Sequence, residues 1–162
     1  MSNYVVLGNI IELYSVNNGN ERNMGRYTNA CEPGTTLRYD GSTYSYLSFI
    51  YQGAAKNRTG DNLQAALILA TNAISTGLAR EAVNNRYHLR VWSVVMNPAN
   101  KSQVSKVLTE EDWVVASMVY DVEAVEVVLS SSIDAVGANA PTRVLTRDLV
   151  GALPVTASIQ AQ

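Results

Sequence analysis

At 162 residues, with a net charge of −2 and a pI near 5.3, the chain is long enough for one domain with a substantial core and short for two. Nearly half of its residues are apolar and 16% are charged, which excludes a disordered chain. Its lysines and arginines are scattered singly, which excludes a tight hold on nucleic acid, because phosphate contacts need clustered cations. So sparse a charge favours a chain that lives in an assembly.

No apolar run approaches the roughly 20 residues that span a bilayer, so no membrane partner is expected. Met1-Ser2-Asn3-Tyr4 lacks the basic and apolar regions of a signal peptide. Cys31 is the single cysteine and cannot form an internal disulfide. The expected place of synthesis and folding is a cytoplasm.

Tyr4 to Val16 is β-branched and aromatic, which predicts strand, with a bulge or bend at Gly8-Asn9. Asn17 to Gly34, rich in Asn, Gly and charge, reads as a long surface loop of the functional or partner-ordered kind. Asp40-Gly41 between two β-rich runs predicts a hairpin. Beyond it Tyr44, Tyr46, Ser48 and Ile50 alternate with Ser45, Leu47, Phe49 and Tyr51, so both faces of that strand are expected to be covered. A second polar loop follows from Gln52. Leu63 to Thr71 is read as strand and Ser75 to Asn85 as the one helix, with Leu78, Ala82 and Val83 at helical spacing and Ser75 or Thr76 as its cap.

Tyr87 to Met96 is a strand ended by Asn97-Pro98, followed by a polar loop. Asp112 to Ser131 reads as two strands, because the apolar parity changes near Ala124-Val125. The last third is weakly patterned, and 150–162 is expected to be an extended arm after a single domain over 1–149. The fold class is mainly β with one packed α-helix, a barrel or sandwich with long interface loops.

Little here carries chemistry. His88, the only histidine, sits inside a strand without the spacing of a metal site, and Cys31 has no paired base. Glu110, Glu111 and Asp112 read as an acidic turn into a strand. Asp121, Glu123 and Glu126 lie too close and too parallel for glycosidase carboxylates, and a solvated sheet face is the simpler reading. "GNERNMG" and "GAAKNRTG" lack the Gly-Lys-Ser/Thr ending and the helix of a phosphate loop, which leaves Lys56 and Arg58 at a loop tip that could touch a partner. No catalytic residue, metal or cofactor is expected. Tyr39, Tyr44, Tyr46 and Tyr51 crowd one short stretch, either as sheet packing or as aromatic anchors in a neighbouring subunit.

The order of these pieces resembles the minor tail protein L family of lambda-like tailed phages. Tyr39, Gly41 and Tyr44 match the family's "W-x-G-x-x-Y" hairpin, and Asn72 its asparagine-then-helix unit. Leu129, Ser131, Asp134, Pro141, Arg143 and Arg147 echo its late "L-x-S-P-x-D … P-R-R" stretch. The resemblance runs from about Ile10 to Leu149. Tyr39 replaces the usual Trp, and the cysteine-rich segment that binds an iron–sulfur cluster in larger members has no counterpart, so no cluster carries over. What the resemblance implies is a structural role in the virion: a ring, commonly a trimer, joining the tube or distal tail protein to the central hub. Arg143 and Arg147 then join Lys56, Arg58 and the four tyrosines as interface candidates. Asp121, Glu123 and Glu126 become candidates for lining a channel through which DNA passes. A tail-tube, tail-completion or capsid-associated protein, or a carbohydrate-binding β-domain using the tyrosines, is the alternative.

Overall fold

Two tight turns set the frame. Asn18-Gly19 and Asp40-Gly41 each place two consecutive residues at positive φ (51° and 80°, 46° and 73°), the conformation of the type I′ turn whose twist matches paired strands. The first joins β1 (Val6–Asn17) to β2 (Asn20–Thr28), and the second joins β3 (Thr36–Tyr39) to β4 (Ser42–Tyr46). The computed structural model describes residues 5–53 and 64–131. Its remaining elements are β5 (Phe49–Gln52), β6 (Gln64–Ala70), α1 (Ala73–Asn84), β7 (His88–Asn97), β8 (Asn100–Tyr120) and β9 (Ala124–Ser130).

The protein is mainly β with one packed helix, as the sequence predicts. The strands form one mixed sheet in the order β3-β4-β2-β1-β7-β8-β9-β6-β5. Among the described strands, only β2 and β4 run parallel. Although β4 and β5 stand near opposite ends of that order, just Leu47 and Ser48 separate them in the chain. The sheet must therefore curl until its ends meet. Leu47 N donates to Thr28 O at 2.9 Å, and Asn29 Nδ2 donates to Phe49 O at 3.0 Å. These contacts draw the ends of the single curled sheet together into a barrel-like wall.

Alternation then sorts the side chains. Ile11, Leu13, Leu67, Leu69, Leu89, Val91, Trp113, Val115, Val125, Val127 and Leu129 point inward and form the main core. Helix α1 closes it, with Leu78, Ala79 and Ala82 set against Leu13, Leu67 and Leu89. The small alanines let the helix approach closely. Its cap is Asn72, whose Oδ1 accepts from Ser75 N at 2.8 Å while Ser75 Oγ accepts from Asn72 N at 3.0 Å. The helix thus starts two residues before the expected Ser75, which is the third helical residue of a capping box rather than the cap.

Three expectations are corrected. Much of the loop read over Asn17–Gly34 is strand β2. Its solvent-facing positions are polar, which hid the pairing, and Asn18-Gly19 was the overlooked hairpin signal. The polar stretch after Pro98 is likewise strand, the first half of the 21-residue β8, so Glu110, Glu111 and Asp112 lie mid-strand instead of in a turn. The β1 irregularity falls between Leu13 and Tyr14 opposite Met24, not at Gly8-Asn9. Gly8 has a different cause: a Cβ there would lie 2.3 Å from Ala30 Cβ, where the chain after β2 crosses β1. The parity change before β9 is the turn at Asp121–Glu123, where Asp121 Oδ1 accepts from Glu123 N and Ala124 N at 2.8 and 2.9 Å. The domain end at 149 and the arm 150–162 lie outside the described residues, as does most of the second polar loop.

Candidate interaction surfaces

Strands β1 and β7 pair Ile10 with Trp92 and Val6 with Met96, and these face out of the barrel. The β3–β4 hairpin folds over them and buries Ile10, Leu37, Tyr44, Trp92, Val94 and Met96 in a second core. Trp92 is its hub. The Tyr39 and Tyr44 rings meet it edge-on with centroids 5.9 and 6.4 Å away, a geometry that aligns ring edge with ring face. Burial first, and then nearby carboxylates, raise both phenols above the ordinary tyrosine pKa.

Beside this flap the sheet carries a row of alternating charge. Arg26 on β2, Glu12 on β1, Arg90 on β7 and Asp112 on β8 lie in register. Arg26 Nη2 stands 2.9 Å from Glu12 Oε1, and Arg90 Nε donates to Asp112 Oδ1 at 3.0 Å. Glu21 and Glu110 flank Arg90 at 3.6 and 3.9 Å, and its guanidinium sits 4.9 Å above the Tyr14 ring. His88 stacks on the same Tyr14 ring, with centroids 5.2 Å apart. Opposite charges on adjacent strands fix register more than they stabilise, since exposed pairs contribute about 0.2–1 kcal/mol each.

Glu111 turns to the opposite face from its neighbours, as strand alternation requires. It accepts a short hydrogen bond from Tyr51 Oη, and Tyr51 Oη accepts from Trp113 Nε1 at 2.8 Å. Burial, and then the Glu111 bond and charge, raise the Tyr51 pKa strongly. The three acidic neighbours are thus split: Glu110 and Asp112 serve Arg90, and Glu111 serves Tyr51. They do not converge as an acid–base pair.

Among the described residues, the exposed large apolar side chains other than Val16 lie in three places. On the outer face of β5, β6, β9 and β8, register puts Ile50, Ile68, Glu126 and Val119 in one row and Gln52, Ala66, Val128 and Ser117 in the next. Ile50 is 61% and Val119 64% exposed. Where β1 begins beside β7 and β8, Val5, Leu7 and Leu108 are exposed, and Leu108 is the extra residue of a bulge near the middle of β8. Leu7 and Leu108 border an open cavity of about 430 Å³ that Phe49 and Asn29 also line. At the β8–β9 end, Ile74, Tyr120 and Val122 are exposed, Val122 at 93%. The helix start is tied there by Thr71 N, which donates to Glu123 O at 3.1 Å.

The expected site residues fall apart on this map. Tyr44 is 3% exposed and presents no area to a neighbour, a correction whose cause is the hairpin folding onto Trp92. Tyr39, Tyr46 and Tyr51 are half-buried, and Tyr39 and Tyr51 have the internal partners given above. Asp121 and Glu123 sit in the β8–β9 turn and Glu126 on β9, all exposed and outside the barrel, so they do not share one strand. Lys56, Arg58, Arg143 and Arg147 lie outside the described residues. Trp92 and Arg90 were missed, although "HLRVWSVVM" carries large residues on both parities and so announces a strand covered on both faces.

Neither a protein-family model nor a curated protein matches the chain.

Proposed function

We propose that the protein is a structural, non-enzymatic virion protein of a tailed phage, an adaptor or hub subunit that forms a ring, with a trimer favoured, at the distal tail. The observation that carries this reading is the exposure of apolar side chains at two separate places along β8. Leu108, with Leu7 on β1 beside it, lies near the middle of the strand, and Tyr120, with Ile74 and Val122, lies at its C-terminal end. The twelve residues from Leu108 to Tyr120 span about 40 Å at about 3.3 Å per residue. A subunit seated between two neighbours, a distal tail or tube protein on one side and a hub protein on the other, needs apolar contact at two separate places. The order of motifs that resembles the minor tail protein L family supports the same reading.

The barrel interior is filled by side chains. DNA would therefore pass between subunits, with Asp121 and Glu123 on the turn as the carboxylates that could face it. The Tyr39 and Tyr44 rings pack on Trp92 rather than standing as a platform, which disfavours the carbohydrate-binding alternative. The test is the solution mass of the purified chain by light scattering, alone and with the products of the genes adjacent to its own. A trimer, or a ring formed only with a neighbour, is expected. Val122→Asp with Ile74→Asp should abolish the assembly while leaving the circular dichroism spectrum of the barrel unchanged. A monomer that ignores every neighbour would overturn the reading.

A further inference from the structure

The outer face of β6 and β9 lacks what the outer face of β1 and β7 has. Ala66 pairs with Val128 and Ile68 with Glu126, flanked by Ile50 and Val119, and none of the six belongs to either buried cluster. Glu126 is the one ionised group in these rows, and it is exposed without an ion pair. An apolar face with a single unpaired carboxylate suits an apolar partner carrying a cation.

The chain itself supplies one. β9 ends at Ser130, in the next outward row beyond Val128, and residues 132–162 follow from that corner. Arg143 and Arg147 are the only cations among them, and they stand within the stretch "TRVLTRDLV", residues 142–150, among Val144, Leu145, Leu149 and Val150. Residues 132–142 can extend roughly 36 Å at about 3.3 Å per residue. The four-strand face is only about 14 Å wide at roughly 4.8 Å per strand spacing. The reach is ample, and attachment to the same chain gives a high effective concentration.

We propose that residues 142–150 of the same chain pack across the outer face of β6 and β9, with an arginine of that stretch paired to Glu126. The cover takes Ile68 and Val128 out of water and removes Glu126 from the channel-lining candidates. It stands independently of the phage-tail reading.

Disulfide trapping in the full chain tests it. In a Cys31→Ser background, Val128→Cys is combined in turn with Leu145→Cys and Leu149→Cys, oxidised, and read on a non-reducing gel with peptide mass spectrometry. The expected product is an intramolecular disulfide at monomer mass with one of the two partners. Adding Glu126→Arg should lower its yield several-fold, and Arg143→Glu with Arg147→Glu should restore it. A disulfide only between chains would show that the segment covers a neighbour instead and would overturn the proposal. So would no disulfide with either partner in chains whose circular dichroism is unchanged. A yield indifferent to Glu126→Arg would overturn the ion pair.

Discussion

The barrel wall has two broad outer faces, and the described residues treat them differently. Over β1 and β7 the β3–β4 hairpin lies on Ile10, Trp92, Val94 and Met96 and makes a second core. Over β5, β6, β9 and β8 no described element lies on Ile50, Ile68, Val128 and Val119. Both faces are built from strands with apolar residues on both parities, so the strands themselves do not distinguish them. The difference lies in where a hairpin lands, and it separates residues that hold this chain together from residues available to something else.

The largest effect should come from the covered face. Trp92→Ala should cost about 3–5 kcal/mol in urea unfolding, because it removes the ring on which Tyr39 and Tyr44 pack and leaves a cavity. Ile68→Ala on the other face sharpens the contrast. With residues 142–150 in place it should cost about 2 kcal/mol, at the low end for a buried isoleucine, whereas a loss near 0.5 kcal/mol would return the face to solvent.

A middle-sized effect belongs to the barrel interior. Tyr51→Phe leaves Glu111 and Trp113 Nε1 without their partner and should cost about 1–3 kcal/mol near neutral pH. The tyrosine also sets an alkaline limit. Its pKa is raised on folding, so above about pH 10, where an unfolded tyrosine loses its proton, the unfolded state gains stability first and the fold weakens. Tyr14, Tyr39, Tyr44 and Tyr87 shift in the same direction. Thermal melts should therefore fall steeply above pH 10, and the fall should be shallower in Tyr51→Phe. An equally steep fall would deny Tyr51 that share.

The smallest effect tests the flap that makes the two faces unlike. Gly41 stands at φ +73° with open space around a would-be Cβ, so Gly41→Ala should cost about 1 kcal/mol from backbone strain alone. Hydrogen exchange should rise in β3 and β4 and not in β6 or β9. A uniform rise would mean that the flap unfolds only with the whole barrel.

By itself the sequence determined the class of fold and most of its punctuation. β-branched alternation specified β1, β7 and β9, Asp40-Gly41 specified one hairpin, and the parity change specified the turn before β9, because these signals are local and act within a few residues. It did not reveal β2 or the first half of β8, whose residues are mostly polar and carry no β-branched alternation of their own, so that each is held as strand by the preceding strand on which it turns back. Asn72 as cap was hidden because Ser75 carries the same capping chemistry, and only the strand end at Ala70 decides between them. Closure of the barrel, the burial of Tyr44, and the division of Glu110, Glu111 and Asp112 between Arg90 and Tyr51 were decided by tertiary structure alone. Each depends on which residues are brought opposite one another across the sheet, and alternation reports a side chain's parity but never its partner.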